Sequence, residues 1–414
     1  MSAPGQPIPS AAQAAPAPRG PQASLRKTAG RPAERATGAM TLELASLGDV
    51  SGFEAQWRDL ADRAAEPNPF FRSDFLLPIT AYLQPNDPRL LLVRSSGHLT
   101  GLLPLVGDRV GFGLSGRHRS VFQHQYGPVG VPLIDRDCVD ETLSALFSRA
   151  RGLPRGLIMH LDENGPVCRA LRRLSAENHL PQTVLARHER AAFDAGQNSE
   201  HFFKHALVRK KRKDLARLMR RMGELGSVHS FTHKNASAIA GAFERFIALE
   251  ARGWKGRRET ALGSHSERTR FAVNLVGNFA ADGLVRIDEI TVDGALTASL
   301  ISFVDGDRLF TWKIAYHEDF ARFSPGSQII LALSEALLAD PSVAAADSLA
   351  QPNHPMIDHL WRERLSIVKA YIPLRPQTPL PAVCMLAEER LHQAASRAAK
   401  RLLAAVKARP HKNR

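Results

Sequence analysis

Cysteine is scarce in this 414-residue sequence. Cys138, Cys168 and Cys384 are an odd number set far apart. They form no disulfide framework and match no metal-ligand spacing, a usage that suits a reducing compartment. Long apolar runs are missing too. No stretch approaches the roughly 18 residues that a membrane span needs. The first residues hold no apolar core of a secretory signal. These absences predict a cytoplasmic protein without a transmembrane segment.

The hydrophobic content, 44%, is enough for globular cores, and the length suggests two domains with tails. The formal charge is +14. Much of it sits in two places. One contains Lys204, Arg209, Lys210, Lys211, Arg212, Lys213, Arg217, Arg220 and Arg221. The other contains Arg390, Arg397, Lys400, Arg401, Lys407, Arg409, Lys412 and Arg414. Such clusters attract nucleic acid, anionic lipid or an anionic cofactor, or form a solvated helix face. Residues 1–40 are rich in Ala, Pro, Gly, Ser and Gln, carry Arg19, Arg26, Lys27, Arg31 and Arg35, and predict a disordered basic tail.

From Thr41 the pattern turns α/β. Phe53, Trp57 and Leu60 repeat at helical spacing, and Phe70 to Leu83 reads as a second helix. Leu90–Val93 and Leu99–Val106 read as strands. Gly111 to Gly116 is glycine-rich but opens no helix, so no phosphate cradle is assigned to it. Val139–Ala150 and Val167–Leu180 read as helices, with strands at Gly156–Leu161 and Pro181–Arg187. The basic stretch Phe202–Met222 is helical by period, Phe203, Leu207, Leu215, Leu218 and Met222 forming its apolar set. Then come a strand at Val228–Thr232, helices at Ala238–Gly253 and Glu267–Asp282, and three strands, Leu284–Val292, Leu296–Val304 and Leu309–Tyr316. Asp293-Gly294 and Asp305-Gly306 separate them as hairpin turns. A strand at Val343–Asp347, a helix from Met356 and a last strand at Ile367–Leu374 complete the order.

The stretch from Asp307 to Trp361 organises the rest. Phe310, Trp312, Ile314 and Tyr316 alternate with Thr311 and Lys313, which predicts a strand with the first set on one face. Ser324-Pro325-Gly326-Ser327-Gln328 then opens a helix, Pro being suited to a first helical position. Free N–H groups and the positive dipole end at such a start suit a phosphate. Because Pro325 has no N–H, the amides of Gly326, Ser327 and Gln328 are the candidates.

This stretch resembles the GNAT acyltransferases, in particular the CelD-like branch with its BioF2-like acetyltransferase domain. The residues that carry the resemblance are Lys313-Ile314-Ala315-Tyr316, Ser324-Pro325-Gly326, Asp347-Ser348-Leu349-Ala350 and His354-Pro355-Met356-Ile357-Asp358-His359-Leu360-Trp361. Glu250, Trp254-Lys255-Gly256 and Thr260-Ala261-Leu262 add to it. It covers about residues 45–375 and is strongest after Phe243. Leu349 stands where relatives often have Cys, which argues against a cysteine nucleophile, and Glu259 stands where they often have Gly.

The resemblance implies tandem GNAT-like domains of mixed α/β (α+β) class: a degenerate copy at 41–190, a basic linker helix at 191–225, the cofactor domain at 226–376 and a basic helical tail at 377–414. It implies acyl transfer, acetyl first, from acyl-CoA to an amine or sugar acceptor, with a link to exopolysaccharide or cellulose production. On it, Lys313, Ile314, Ser324, Gly326, Ser327 and Gln328 hold the cofactor; Asp347, His354 and Tyr316 serve catalysis; Trp254, Lys255 and Asp358 meet the acceptor. Each has a plainer reading: Asp347 as a turn cap, His354 as a surface histidine, Tyr316 and Trp254 as core. A metal at His354, Asp358 and His359 is disfavoured, since Pro355 breaks the local helix start and acyl transfer needs no metal. The basic helix keeps a second reading open, transfer from aminoacyl-tRNA. The basic ends keep a third, a non-catalytic accessory protein with peripheral membrane contact.

Overall fold

A computed structural model describes residues 39–83, 88–149, 152–198, 202 and 209–408. The predicted disordered tail lies almost wholly outside the described residues. In chain order the elements are β1 (Met40–Ala45), α1 (Glu54–Asp62), α2 (Ser73–Tyr82), β2 (Arg89–Ser95), β3 (His98–Arg109), β4 (Arg117–Val121), β5 (Leu133–Ile134), α3 (Val139–Ser148), β6 (Gly156–Asp162), α4 (Pro166–Glu177), β7 (Thr183–Asp194) and α5 (Arg209–Gly223). There follow β8 (Val228–His233), α6 (Ala236–Arg252), α7 (Trp254–Arg257), α8 (Ser266–Ala281), β9 (Val285–Val292), β10 (Ala295–Asp305), β11 (Arg308–Tyr316), α9 (Pro325–Leu338), β12 (Ala345–Asp347), β13 (Glu363–Pro373) and α10 (Leu380–Ala408). Among the described residues, no helix is long and apolar enough to cross a membrane.

In its described parts the chain forms two compact units. One is built from Arg72–Pro85 and Arg190–Leu365, the other from Gly30–Phe71, Asn86–Glu189 and Ser366–Arg414. In the first, β8, β9, β10 and β11 pair in sequence as an antiparallel meander. β12 then lies parallel to β11, and the end of β7 antiparallel to β12. The β9–β10 turn, Asp293-Gly294, has positive φ at both residues (46° and 78°), the conformation a two-residue hairpin demands. α6 starts at an N-cap, Asn235, whose side chain accepts from the Ala238 amide at 2.9 Å. The core gathers Phe193, Leu215, Leu300, Ile329, Leu333 and Trp361. Trp361 is fully buried; it stacks on Phe193 and donates to Ser334 Oγ at 2.8 Å.

In the second unit β1, β2, β3 and β4 pair antiparallel in sequence, β6 lies parallel to β4, and β13 antiparallel to β6. Trp57, Phe70 and Phe71 are fully buried, with Trp57 donating to the Phe71 carbonyl at 2.7 Å. The glycine-rich loop holds an anion, but one from the chain itself. The amides of Leu114 and Ser115 donate to the Glu388 carboxylate of α10, both at 2.7 Å. Burial alone would raise this carboxyl; the bonds from Ser115, Leu114 and Gly113 outweigh it and bring it to about 2.

Three expectations need correction. β7 continues to Asp194, so the segment from residue 191 begins as strand, not linker helix; Ala191 and Phe193 are buried on it. The helix expected from Met356 is a single 3₁₀ turn, Ile357–His359: the buried Ile357, Leu360 and Trp361 do keep the i, i+3, i+4 spacing of a helix, but the strand β13 already begins at Glu363 and leaves no length for one. The C-terminal helix is not all tail: Met385, Glu388 and Glu389 are buried and Lys369 pairs with Glu389 at 2.9 Å.

Candidate functional site

The site is built along β11. Ile301 of β10 faces Lys313 and Ser302 faces Thr311, so Trp312 is an extra residue, a β-bulge. A bulge reverses which face the following side chains take. The expected single face of Phe310, Trp312, Ile314 and Tyr316 is therefore split. Trp312 lies against Phe303 and Phe271, at ring separations of 5.0 and 6.4 Å. Ile314 and Tyr316 pack on the core of α9 with Ala298 and Leu300.

Beyond the bulge β11 parts from β12. Their pairing runs only from Arg308 with Ala345 to Phe310 with Asp347, while β10 follows β11 to Tyr316. From Thr311 to Tyr316 the far edge of β11 has no strand partner among the described residues. Side chains reach this stretch instead. Lys255 Nζ donates to the Ile314 carbonyl at 2.9 Å, and Thr311 Oγ1 donates to the Ser348 carbonyl at 2.7 Å.

Lys255 is itself held by Glu250, a carboxylate only 3% exposed, at 2.9 Å. The second Glu250 oxygen accepts from the Leu262 amide at 2.8 Å. Lys313 is partly exposed, with its ammonium 5.7 Å from the Trp312 ring. Burial, then the charge of Lys255, lowers the Lys313 ammonium to about 8; Glu250 opposes this and Arg268 adds to it. The turn after Trp254 is closed by Glu259 at φ 56°, the left-handed conformation that favours Gly.

At the start of α9, Ser324 is left-handed (φ 54°, ψ 50°) and its carbonyl accepts from the amides of Ser327 and Gln328, at 2.9 and 3.1 Å. Of the three amides expected to face an anion, two are thus engaged and Gly326 is outside these bonds. The turn is also more enclosed than its sequence suggested. Pro325, Gly326, Ser327 and Gln328 are all buried, and Gln328 Nε2 donates to the Leu215 carbonyl at 2.9 Å. A Cβ on Gly326 would stand 2.8 Å from Met356 Sδ, 3.7 Å from Ile314 Cδ1 and 3.9 Å from Tyr316 Cδ1. Met356, a flexible side chain, thus covers the Cα of Gly326. No acid lies in the first turn of α9.

Asp347 is buried at the end of β12. One oxygen pairs with Arg190 at 2.5 Å and the other accepts from the Leu349 amide at 2.9 Å. Both oxygens are occupied, which suits a positioning group better than a proton acceptor. His354 is half-buried, and its Nδ1 accepts from the Met356 amide at 3.4 Å. Asp358 Oδ1 is buried without a hydrogen bond, its other oxygen 4.0 Å from Arg364. Trp254 is 42% exposed under the Arg258 guanidinium, with its amide donating to Glu318 at 2.7 Å. The structure thus brings Lys255, Lys313, Ile314, Tyr316 and Gly326 to the β11 edge. Asp347 sits where the two strands separate. Arg190 and Met356 were missed. Arg190 stands two residues before Ala192, the partner of Asp347, and only the pairing of β7 with β12 places it there.

Residues 209–353 match the family model described as the acetyltransferase (GNAT) domain. No curated protein matches the sequence. Among solved structures, a crystal structure of FemX is similar over 80% of this chain and 98% of that one, at 9% identity and a TM-score of 0.51. The C-terminal domain of a putative lysylphosphatidylglycerol synthetase from Agrobacterium fabrum aligns over 81% of this chain and 95% of its own, at 13% identity and a TM-score of 0.47. A tandem GNAT protein from the clavulanic acid biosynthesis pathway aligns over 82% and 100%, at 16% identity and a TM-score of 0.38. Residues 209–353 are thus similar to the GNAT-type acetyltransferase domain, and the mixed α/β fold is similar to that of FemX.

Proposed function

We propose that the protein is an acyl-CoA-dependent N-acyltransferase, acetyl-CoA first, acting on an amine or amino-sugar acceptor. The observation that carries this reading is the β11 edge from Thr311 to Tyr316, left without a strand partner when β12 ends at Asp347. The pantetheine arm is a row of amides and can pair with such an edge as a strand would. Its diphosphate reaches the Gly326 amide at the start of α9. Ser324, Ser327 and Gln328 shape that turn rather than donate all of their amides. Lys255 fixes the Ile314 carbonyl, and Lys313 places a positive charge beside the thioester oxygen.

The acceptor amine attacks the thioester carbonyl. A C–N bond forms, the C–S bond breaks, one ammonium proton passes to a base and the departing thiolate is protonated. His354 is the candidate base and Tyr316 the candidate donor to the thiolate; Asp347 positions the loop that follows β12. Trp254 and Asp358 are assigned to the acceptor. By resemblance to the CelD-like branch, that acceptor belongs to polysaccharide production.

The test is a thermal-shift screen with acetyl-, malonyl- and longer acyl-CoA. A ligand bound only by the folded state at a hundred times its Kd adds about 2.7 kcal/mol and raises the midpoint by several degrees. Absence of a shift with every acyl-CoA overturns the reading. One observation favours a second reading, transfer from aminoacyl-tRNA: α5 buries Leu215, Leu218 and Met222 and exposes Lys210, Lys213, Arg217, Arg220 and Arg221. Retention of tRNA that falls steeply with salt supports it, and retention insensitive to salt excludes it.

A further inference from the structure

The second unit holds a cavity of about 490 Å³ that no step above uses. It is lined by Arg117, His118 and Arg119 of β4, by Pro154, Arg155 and Gly156 at the start of β6, and by Gly107 and Tyr371. Gly107 faces Arg119 across the β3–β4 ladder and Arg109 faces Arg117. Residues two apart on a strand share a face, so Arg117 and Arg119 project together. Two glycines leave room for side chains that line it. A Cβ on Gly107 would meet the Arg117 guanidinium at 2.7 Å, and one on Gly156 would meet the Tyr371 hydroxyl at 2.5 Å. The Tyr371 hydroxyl accepts from Gln377 Nε2 at 2.7 Å.

Among the described residues no carboxylate lines the cavity, although Asp108, opposite His118 on β3, and Glu388 act on that histidine from outside it. Other arginines of this unit are paired, Arg63 with Asp135 and Arg187 with Glu163. Arg117, Arg119 and Arg155 have no ion pair among the described residues. Guanidinium stays charged at any ordinary pH, so three around one space repel one another until an anion enters. Planar donors carried by the two neighbouring strands β4 and β6 suit the oxygens of a phosphate, each accepting two bonds. The volume is that of a small-molecule site.

We propose that this cavity binds a small organic phosphate carrying at least two negative charges, a phosphomonoester or a diphosphate. The site is independent of the β11 edge and of the acyl-transfer reading.

The full chain is titrated calorimetrically with inorganic pyrophosphate, ADP and inorganic phosphate at 150 mM salt, the ionic strength being set near ~150 mM so that exposed charges are screened beyond about 8 Å. Pyrophosphate and ADP are expected to bind at one site, and Arg119→Gln and Arg155→Gln each to weaken them about tenfold. Both residues are exposed and their substitution leaves the core intact, which an unchanged thermal midpoint verifies. Phosphate weaker than pyrophosphate identifies a diphosphate site, and equal affinities a phosphomonoester site; either supports the proposal. It is overturned if none of the three probes binds, or if Arg119→Gln/Arg155→Gln keeps wild-type affinity.

Discussion

Three antiparallel strands, a helix and a strand parallel to the third occur twice in this chain. In one unit they are β9, β10, β11, α9 and β12; in the other β2, β3, β4, α3 and β6. The two differ at the helix start. The first turn of α9 has no acid, whereas that of α3 carries Asp140 and Glu141. Carboxylates at a helix N-terminus satisfy the dipole themselves and repel an incoming phosphate. The same plan thus keeps acids out of the helix start in one unit and carries two there in the other. The second unit keeps its unbalanced positive charge elsewhere, on Arg117, Arg119 and Arg155.

The sharpest way to set the units apart is through the two arginines of β7. Arg190 is buried against Asp347, while Arg187 meets Glu163 at the surface, itself 54% exposed. Arg190→Met leaves a buried carboxylate alone and should cost about 3–5 kcal/mol in urea unfolding. Arg187→Met should cost under about 1 kcal/mol. Equal costs would remove the distinction between the two ion pairs.

Ligand binding gives the next effect. Gly326→Asp places a carboxylate against Met356 and at the helix tip, and should weaken acetyl-CoA at least about 100-fold by calorimetry. Asp140→Asn with Glu141→Gln should change it less than about twofold. Loss in the α3 pair instead would move the cofactor to the other unit.

Titration separates the units more gently. Lys313 is lowered to about 8, so between pH 8 and 10.5 the unfolded chain binds more protons and stability rises with pH. Lys313→Met should lack this rise in melting curves taken across that range. In the other unit burial, then Lys369 and His188, lowers His160 to about 4, with Glu389 opposing. Stability should therefore be lost as pH falls from 6.5 towards 4, and His160→Leu should blunt that loss.

Much of this was legible in the residues because it is local. Asp293-Gly294 and the Ser324-Pro325 helix start each specify their own backbone. The bulge at Trp312 was not, since an extra residue is extra only against a partner strand. Nor was the enclosure of α9: Met356 stands 30 positions beyond Gly326 in the sequence and meets it through a loop. The pairing of Asp347 with Arg190 joins residues 157 apart. Contacts of that range are set by sheet order, which no local pattern encodes.

The grip of Leu114 and Ser115 on Glu388 bears on how this protein can be cut. A shortened version ending near residue 377 would shed more than a charged appendage. It would strip two loop amides of their acceptor and uncover the side against which Met385 is buried. A cut placed beyond His392, whose ring meets Phe112, leaves these contacts whole.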